Sequence, residues 1–510
     1  MKLASIFTDH MVLQRGESVR VFGEGAGSVT VDFLGHTVSE QFEKDEWCVT
    51  LPSFEYGGPY DMTVTLDDEE ITIKDIYIGE VWLAMGQSNM EMPLFRTLCG
   101  FDEAKHAYND KIRFFDVPRR VERDVPKYGW PFIKTDGEDK PWAVCDEESA
   151  LRASSMGYYV AKELNEKLGV AIGIIGCNWG CRCLETFISR KYAHRTEFLQ
   201  KLLDSYNDMV ATTNMDLYRK ELDNMYKFIK ERCDEIDYDE IENTKKYGLS
   251  YTRPCPLKGY PACYKTGPNH PDNIGVLYEA MVSRITPFGV SGVLWYQGES
   301  NIGEGYAENY GVFMECMKDG FKNPDMKFYT VEIAGYHYEE EDAVQDCFVE
   351  DKNNRAFTRE ALRKASEMYE DNHIVTTMQF EDIIDIHPLD KAPIARRMAS
   401  KILRYSYGLD IKCDEPSYES AYFEDGRAYI KLKNADGLMS NDISRVKMYI
   451  ADASNKLKRA EIVIDGDTLV LSNPEVKEPV CARYAFNSYY IGEHILNSAG
   501  LPLAPFRTDI

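Results

Sequence analysis

No stretch of the 510-residue chain approaches the eighteen or so consecutive apolar residues of a membrane-spanning helix, so a helical membrane-embedded protein is not expected. Basic residues are in deficit: 59 lysines and arginines face 85 aspartates and glutamates, a net charge of −26. That balance repels phosphate backbones and anionic lipid, so neither nucleic acid nor a membrane is expected as a partner. A signal peptide is not expected either, because Asp9, His10, Gln14 and Arg15 interrupt the apolar core it would need; a cytoplasmic location follows as an expectation. The thirteen cysteines are odd in number and show no disulfide frame, which reads as reduced thiols. Cys177, Cys181 and Cys183 cluster, yet they lack the paired CxxC units of a zinc site, and no metal is expected there. Histidines number only nine, so few residues are candidates for a general base near neutral pH.

What is present is the composition of a globular protein, 44% hydrophobic and 28% charged, in a chain too long for one core. Residues 1–74 show short alternating runs such as "SVRVFGEG", "SVTVDFLG" and "YDMTVTLDDEEITI" between turn residues, which predicts a small N-terminal β-sandwich. From residue 75 the pattern changes. "IYIGEVWLAMG", "VAIGIIG", "VSGVLWYQG", "KFYTVEIAG" and "HIVTTMQF" are nearly continuous apolar runs, as parallel strands buried on both faces require. Helical spacing over 148–168, closed by Gly169, lies between two of them. A three-layer α/β domain over 75–408 is therefore predicted, with a charged helical insertion at about 196–246. Alternation returns after 408, so residues 409–510 are expected to form a C-terminal β-rich domain.

Ligands of open α/β sheets bind outside the carboxyl ends of the strands, so polar residues there are the candidates for chemistry. Ser88 follows the strand "VWLAMG" directly after Gly86 and Gln87; it reads either as a nucleophile at the sheet rim or as the N-cap of the next helix. His387 sits in a loop between an apolar strand and a helix, with Asp385 and Asp382 near enough in sequence to orient an imidazole. A third strand end carries Gln297, Gly298, Glu299, Ser300 and Asn301. In a fourth, Gly180 after Trp179 frees a backbone N–H to approach a ligand, as an oxyanion site requires.

These residues, with "FTDHMVLQRGESVRVFG", "GEVWLAMGQSNMEMPL", "GVLWYQGESN", "DIHPLDK", "PVCARYAF" and "GLPLAPFRTD", resemble the sialate O-acetylesterase family within the SGNH superfamily, over nearly the full length. The resemblance implies an SGNH, flavodoxin-like α/β/α hydrolase domain flanked by the two β-domains. It implies a serine esterase removing acetyl groups from small acetylated sugars or oligosaccharides, without a cofactor. Ser88 is then the nucleophile and His387 the base. Glu299 and Asp385 are both candidates for the triad acid, with Glu299 preferred, because superfamily members usually place an aspartate three residues before the histidine and that position here is Ile384. The oxyanion donors implied are the Ser88 and Gly180 N–H groups with the side chain of Gln297, or Asn301 in its place. Cys181 and Arg182 depart from the glycine and threonine common in relatives. Arg182 is thereby a candidate for binding a substrate carboxylate, with Arg96 and Arg284 as further cations. O-acetylated sialic acid is the first substrate expected and acetylated xylan the alternative; a non-catalytic carbohydrate-binding protein is the reading from another class. Oligomeric state is not legible.

Overall fold

A computed structural model describes residues 2–122, 139–235, 240–247, 267–301, 305–336, 355–380 and 384–509. Internal contacts divide the chain into two units, Met1–Gln297 with Glu308–Phe328, and Gly298–Ala307 with Tyr329–Ile510. Asp382 lies outside the described residues.

The first unit begins with antiparallel strands. Lys2–Leu3, Ser18–Glu24 and Glu46–Ser53 form one sheet, while His36–Phe42, Gly27–Phe33 and Gly57–Leu66 pair in sequence within a second. Gly57–Leu66 pairs in turn with the first part of an 18-residue strand, Glu69–Gly86. That strand alternates in exposure up to Asp75 and is buried without interruption from Ile76 to Gly86. The change reflects its partners. Its first part is a two-faced antiparallel strand; its second lies parallel to Ile172–Asn178 on one side and Gly292–Tyr296 on the other. The domain boundary expected at residue 74 thus falls inside one continuous strand.

A buried carboxylate sits close to this change. Glu80 is 3% exposed, and Gln14 Nε2 donates to its Oε2 at 2.9 Å while Arg15 Nε and the Ser291 hydroxyl also reach it. Gln14 Oε1 accepts from the Val81 N–H at 2.8 Å, so the "LQR" segment is tied to the central strand by side chain and by backbone. A buried charge is tolerable when it is paired and hydrogen-bonded in this way.

The strand Asn109–Asp116, parallel to Ile172–Asn178, extends the sheet, and Ala143–Cys145 pairs antiparallel to it. Neither is evident from hydropathy. Arg113 interrupts the apolar run of the former, and it is buried because Asp75 Oδ2 meets its guanidinium at 3.1 Å and the Tyr77 ring lies under it. The helix expected over 148–168 is two helices, Glu147–Arg152 and Ser155–Leu168. Ala153 turns extended between them, and Ser154 caps the second by accepting from the Gly157 N–H at 3.2 Å. Gly169 ends it at φ 69° as expected. The charged segment after residue 196 is helical over Glu197–Thr212, Met215–Glu235 and Glu240–Tyr247.

The strand Lys327–Val331, whose residues from Tyr329 on belong to the second unit, pairs with Asn372–Val375, and that unit also contains helices Arg355–Met368 and Ala392–Tyr405. Arg363 grips the fully buried Glu332 with two nitrogens at 2.8 and 2.9 Å, and Lys401 pairs with Asp414 and Glu415 at 3.0 Å each. The chain ends in two four-stranded antiparallel sheets. Their common core includes Ile430, Met448, Ile450, Leu469, Leu471 and Tyr484.

Replacing Gln14 with Leu removes the partner of both the Val81 N–H and the Glu80 carboxylate. The expected cost is about 2 to 4 kcal/mol, read as a lowered urea midpoint against the parent protein.

Candidate active site

The central strand ends on a hydroxyl because three parallel strands stop level and their ends are stitched together. Gly86 is opposite Asn178 in one neighbour and Tyr296 in the other. The Trp179 N–H donates to the Gly86 carbonyl at 3.0 Å, and the Gln87 N–H donates to the Tyr296 carbonyl at 3.0 Å. Gly86 adopts φ 137°, and a Cβ there would lie 2.2 Å from the Tyr296 carbonyl oxygen, so only glycine fits the crossing. The chain then turns into the helix Ser88–Glu91. Ser88 is its first residue and Gln87 its N-cap, so the capping role open to Ser88 is not the one it fills.

That short helix is held from its far side. The Ser154 hydroxyl donates to the Met90 carbonyl at 2.6 Å, and Ser155 donates to the Met92 carbonyl through its N–H at 2.9 Å and its hydroxyl at 2.8 Å. Ser88 is 4% exposed within this clamp. A helix of four residues has little stability of its own, so its position follows from these tertiary bonds.

The turn after Ile172–Asn178 lies against Ser88. A Cβ placed on Gly180 would be 3.5 Å from Ser88 Cβ. The Gly180 N–H, however, donates to the Glu91 carboxylate, whose other oxygen accepts from Arg119. Cys181 is exposed at φ 60°, a conformation most side chains avoid. Arg182 Nε donates to the Gly180 carbonyl at 3.0 Å, its guanidinium pairs with Asp272, and Trp179 lies beneath it. Gln297, fully buried, donates from Nε2 to the Arg182 carbonyl at 3.0 Å. Ser88, Gly180, Arg182 and Gln297 are therefore gathered in the first unit. Arg284 pairs instead with Asp139 at 2.5 Å, and Arg96 lies over the Phe95 ring.

In the second unit His387 is 6% exposed in the loop before the helix Ala392–Tyr405. Asp385 Oδ1 accepts the His387 backbone N–H at 2.9 Å and stands 3.3 Å from its Nδ1. Glu299 and Asn301 follow Gly298 in the same unit, and Gly298 at φ 155° would place a Cβ 2.8 Å from Ile333 Cγ2. Tight packing thus sets the backbone that presents Glu299. Lys391, four residues beyond His387, is wholly buried, and both Glu299 and Asp385 act on its charge.

A serine thus opens a helix directly after the central strand of a parallel sheet in a mixed α/β protein, the rim where ligands of such sheets bind. Comparison with known proteins narrows this. The family model described as carbohydrate esterase, sialic acid-specific acetylesterase, matches residues 266–381, a span that contains Gln297, Glu299 and Asn301. Sialate O-acetylesterase of Rattus norvegicus is 24% identical over 321 residues, 59% of this chain and 52% of that protein; the Homo sapiens protein is 23% identical over 322 residues, 59% and 49% respectively. The chain thus spans about half the length of the curated relatives it matches. A carbohydrate acetylesterase structure from Xanthomonas citri superposes with a TM-score of 0.76 at 23% identity, covering 100% of this chain and 99% of the other, and so shares the fold. The chain is thus similar to the sialate O-acetylesterase family of carbohydrate esterases over residues 266–381 and, at 22–24% identity, over 59% of its length.

Reading the sequence passed over three residues of these clusters. Glu91 and Arg119 look like solvated charges in isolation, although Glu91 is three positions beyond Ser88 and so on the same helical face. Lys391 stands inside the quoted "DIHPLDK" without a role. Burial pushes its ammonium down from the ordinary 10.5 to about 7, against the opposing pull of Glu299 and Asp385. Between those two values the unfolded chain binds more protons than the folded one, so this lysine makes stability rise with pH above about 7. The parent protein is expected to gain on a Lys391→Met variant by at most about 1.4 kcal/mol per pH unit from pH 7 to 10, measured as paired urea midpoints.

Proposed function

We propose that this chain is a serine acetylesterase acting on O-acetylated carbohydrate. The observation that carries the reading is the position of Ser88, at the level end of three parallel strands and against the Gly180 turn. Ser88 attacks the acetyl carbonyl as His387 takes its proton; the alcohol leaves, and water then releases acetate from the acyl-enzyme with His387 again as base. A carboxylate at His387 Nδ1 holds the tautomer that leaves Nε2 able to accept. Asp385 Oδ1 stands 3.3 Å from that nitrogen and also accepts the backbone N–H. Glu299 is retained beside it.

The Ser88 N–H and the amide of Gln297 or Asn301 are the proposed donors to the oxyanion, each worth about 3 to 4 kcal/mol where such donors have been removed. Gly180 joins them only when its N–H leaves Glu91. O-acetylated sialic acid is the first substrate proposed, following the names of the curated relatives. One observation favours a neutral acetylated sugar such as a xylo-oligosaccharide: Arg182 already pairs with Asp272, so a sugar carboxylate would have to displace that partner. As a family member that bound sugar without chemistry, the protein would release no acetate from any of these.

Released acetate from 9-O-acetylated sialic acid and from acetylated xylo-oligosaccharide, measured side by side, tests reaction and substrate together. Ser88→Ala and His387→Ala should each lower kcat by roughly 10⁴- to 10⁶-fold. Activity of Ser88→Ala at the parental rate would remove the mechanism. Comparing Asp385→Asn with Glu299→Gln assigns the acid to whichever loses more, by about 10⁴-fold.

A further inference from the structure

Glu91 joins the nucleophile's helix to the turn beside it. Its Oε2 accepts the Gly180 N–H and its Oε1 accepts from Arg119 Nη1, so one carboxylate bridges the helix Ser88–Glu91, the turn after Ile172–Asn178 and the segment just past Asn109–Asp116. The side chain is 21% exposed and Arg119 is 16% exposed, so both ends of the pair are largely withdrawn from water, where charge-assisted bonds hold geometry well. Glu91 and Ser88 lie one turn apart on a helix of only four residues. A shift at Glu91 is therefore transmitted to Ser88 with little to absorb it. The Gly180 Cα carries no side chain, and a Cβ there would stand 3.3 Å from Glu91 Oε2, which explains how the carboxylate comes so close.

We infer that Glu91 is a positioning residue: its carboxylate fixes the Gly180 peptide against the Ser88 helix. The inference rests on Ser88 being the nucleophile. A competing possibility is that Glu91 plugs an anion site that substrate must open. The two differ in sign, since removing a plug raises activity and removing a brace lowers it. Arg119 favours the brace, because it pairs with the carboxylate through the oxygen that does not carry the Gly180 bond.

The test measures kcat and KM for 4-nitrophenyl acetate in the parent, Ser88→Ala, Glu91→Ala and Glu91→Gln proteins, with amide hydrogen exchange of the peptide containing Gly180. Glutamine keeps an oxygen to accept the Gly180 N–H but loses the charge. Glu91→Ala should lower kcat about 10- to 100-fold with KM within about threefold, and speed exchange at Gly180 about tenfold or more. Glu91→Gln should recover most of both. A Glu91→Ala protein as fast as the parent or faster overturns the inference, as does equal loss in Ala and Gln variants, or exchange at Gly180 unchanged by either. Parental activity in Ser88→Ala instead overturns the nucleophile assignment, and the exchange measurement still reports separately on the Glu91 bond.

Discussion

The fold depends on a single strand that serves two architectures. Glu69–Gly86 begins as an antiparallel partner of Gly57–Leu66 and ends between two parallel neighbours, so the N-terminal antiparallel strands and the parallel sheet share backbone hydrogen bonds rather than meeting through a linker. Such a strand must be two-faced and half-exposed at one end and apolar on both faces at the other. Its sequence obeys both demands in turn, from "EEITIKD" to "IYIGEVWLAMG". The one charge in the apolar half, Glu80, is compensated by Gln14, Arg15 and Ser291. This gives a physical account of the "LQRGES" segment that composition cannot supply.

The same strand sets the chemistry at its far end. Because its last residue lies level with Asn178 and Tyr296, the three strands end together, and hydrogen bonds from the Trp179 and Gln87 peptide N–H groups lock them in that register. Ser88 is placed by this locking and by the clamp from Ser154 and Ser155, not by the propensity of its own four-residue helix. Around it, polar side chains act first as structure. Gln297 holds the Arg182 carbonyl, Arg182 holds the Gly180 carbonyl and Asp272, and Glu91 holds the Gly180 N–H. Both sides of one turn are thereby fixed by side chains.

The second unit shows the same economy with buried charge. Glu332, Glu415, Arg363 and Lys401 satisfy one another in its interior, whereas Lys391 faces carboxylates close to His387 and is driven toward neutrality by burial.

The sequence alone determined the class of each layer, because periodicity is local: alternation marks the β-rich ends, and continuous apolar runs mark the parallel strands. It also determined Ser88, His387, Gly180 and Gln297 as strand-end and loop residues, since glycine and polar residues interrupt those runs abruptly. Tertiary structure alone decided the continuity through residue 74, the strand Asn109–Asp116 hidden by Arg113, and the break at Ala153. It alone decided that Glu91 takes the Gly180 N–H and that Arg182 is paired with Asp272. The reason is common to all of these: each depends on a partner distant along the chain, and a charge reads as solvated until the residue that neutralises it is brought beside it.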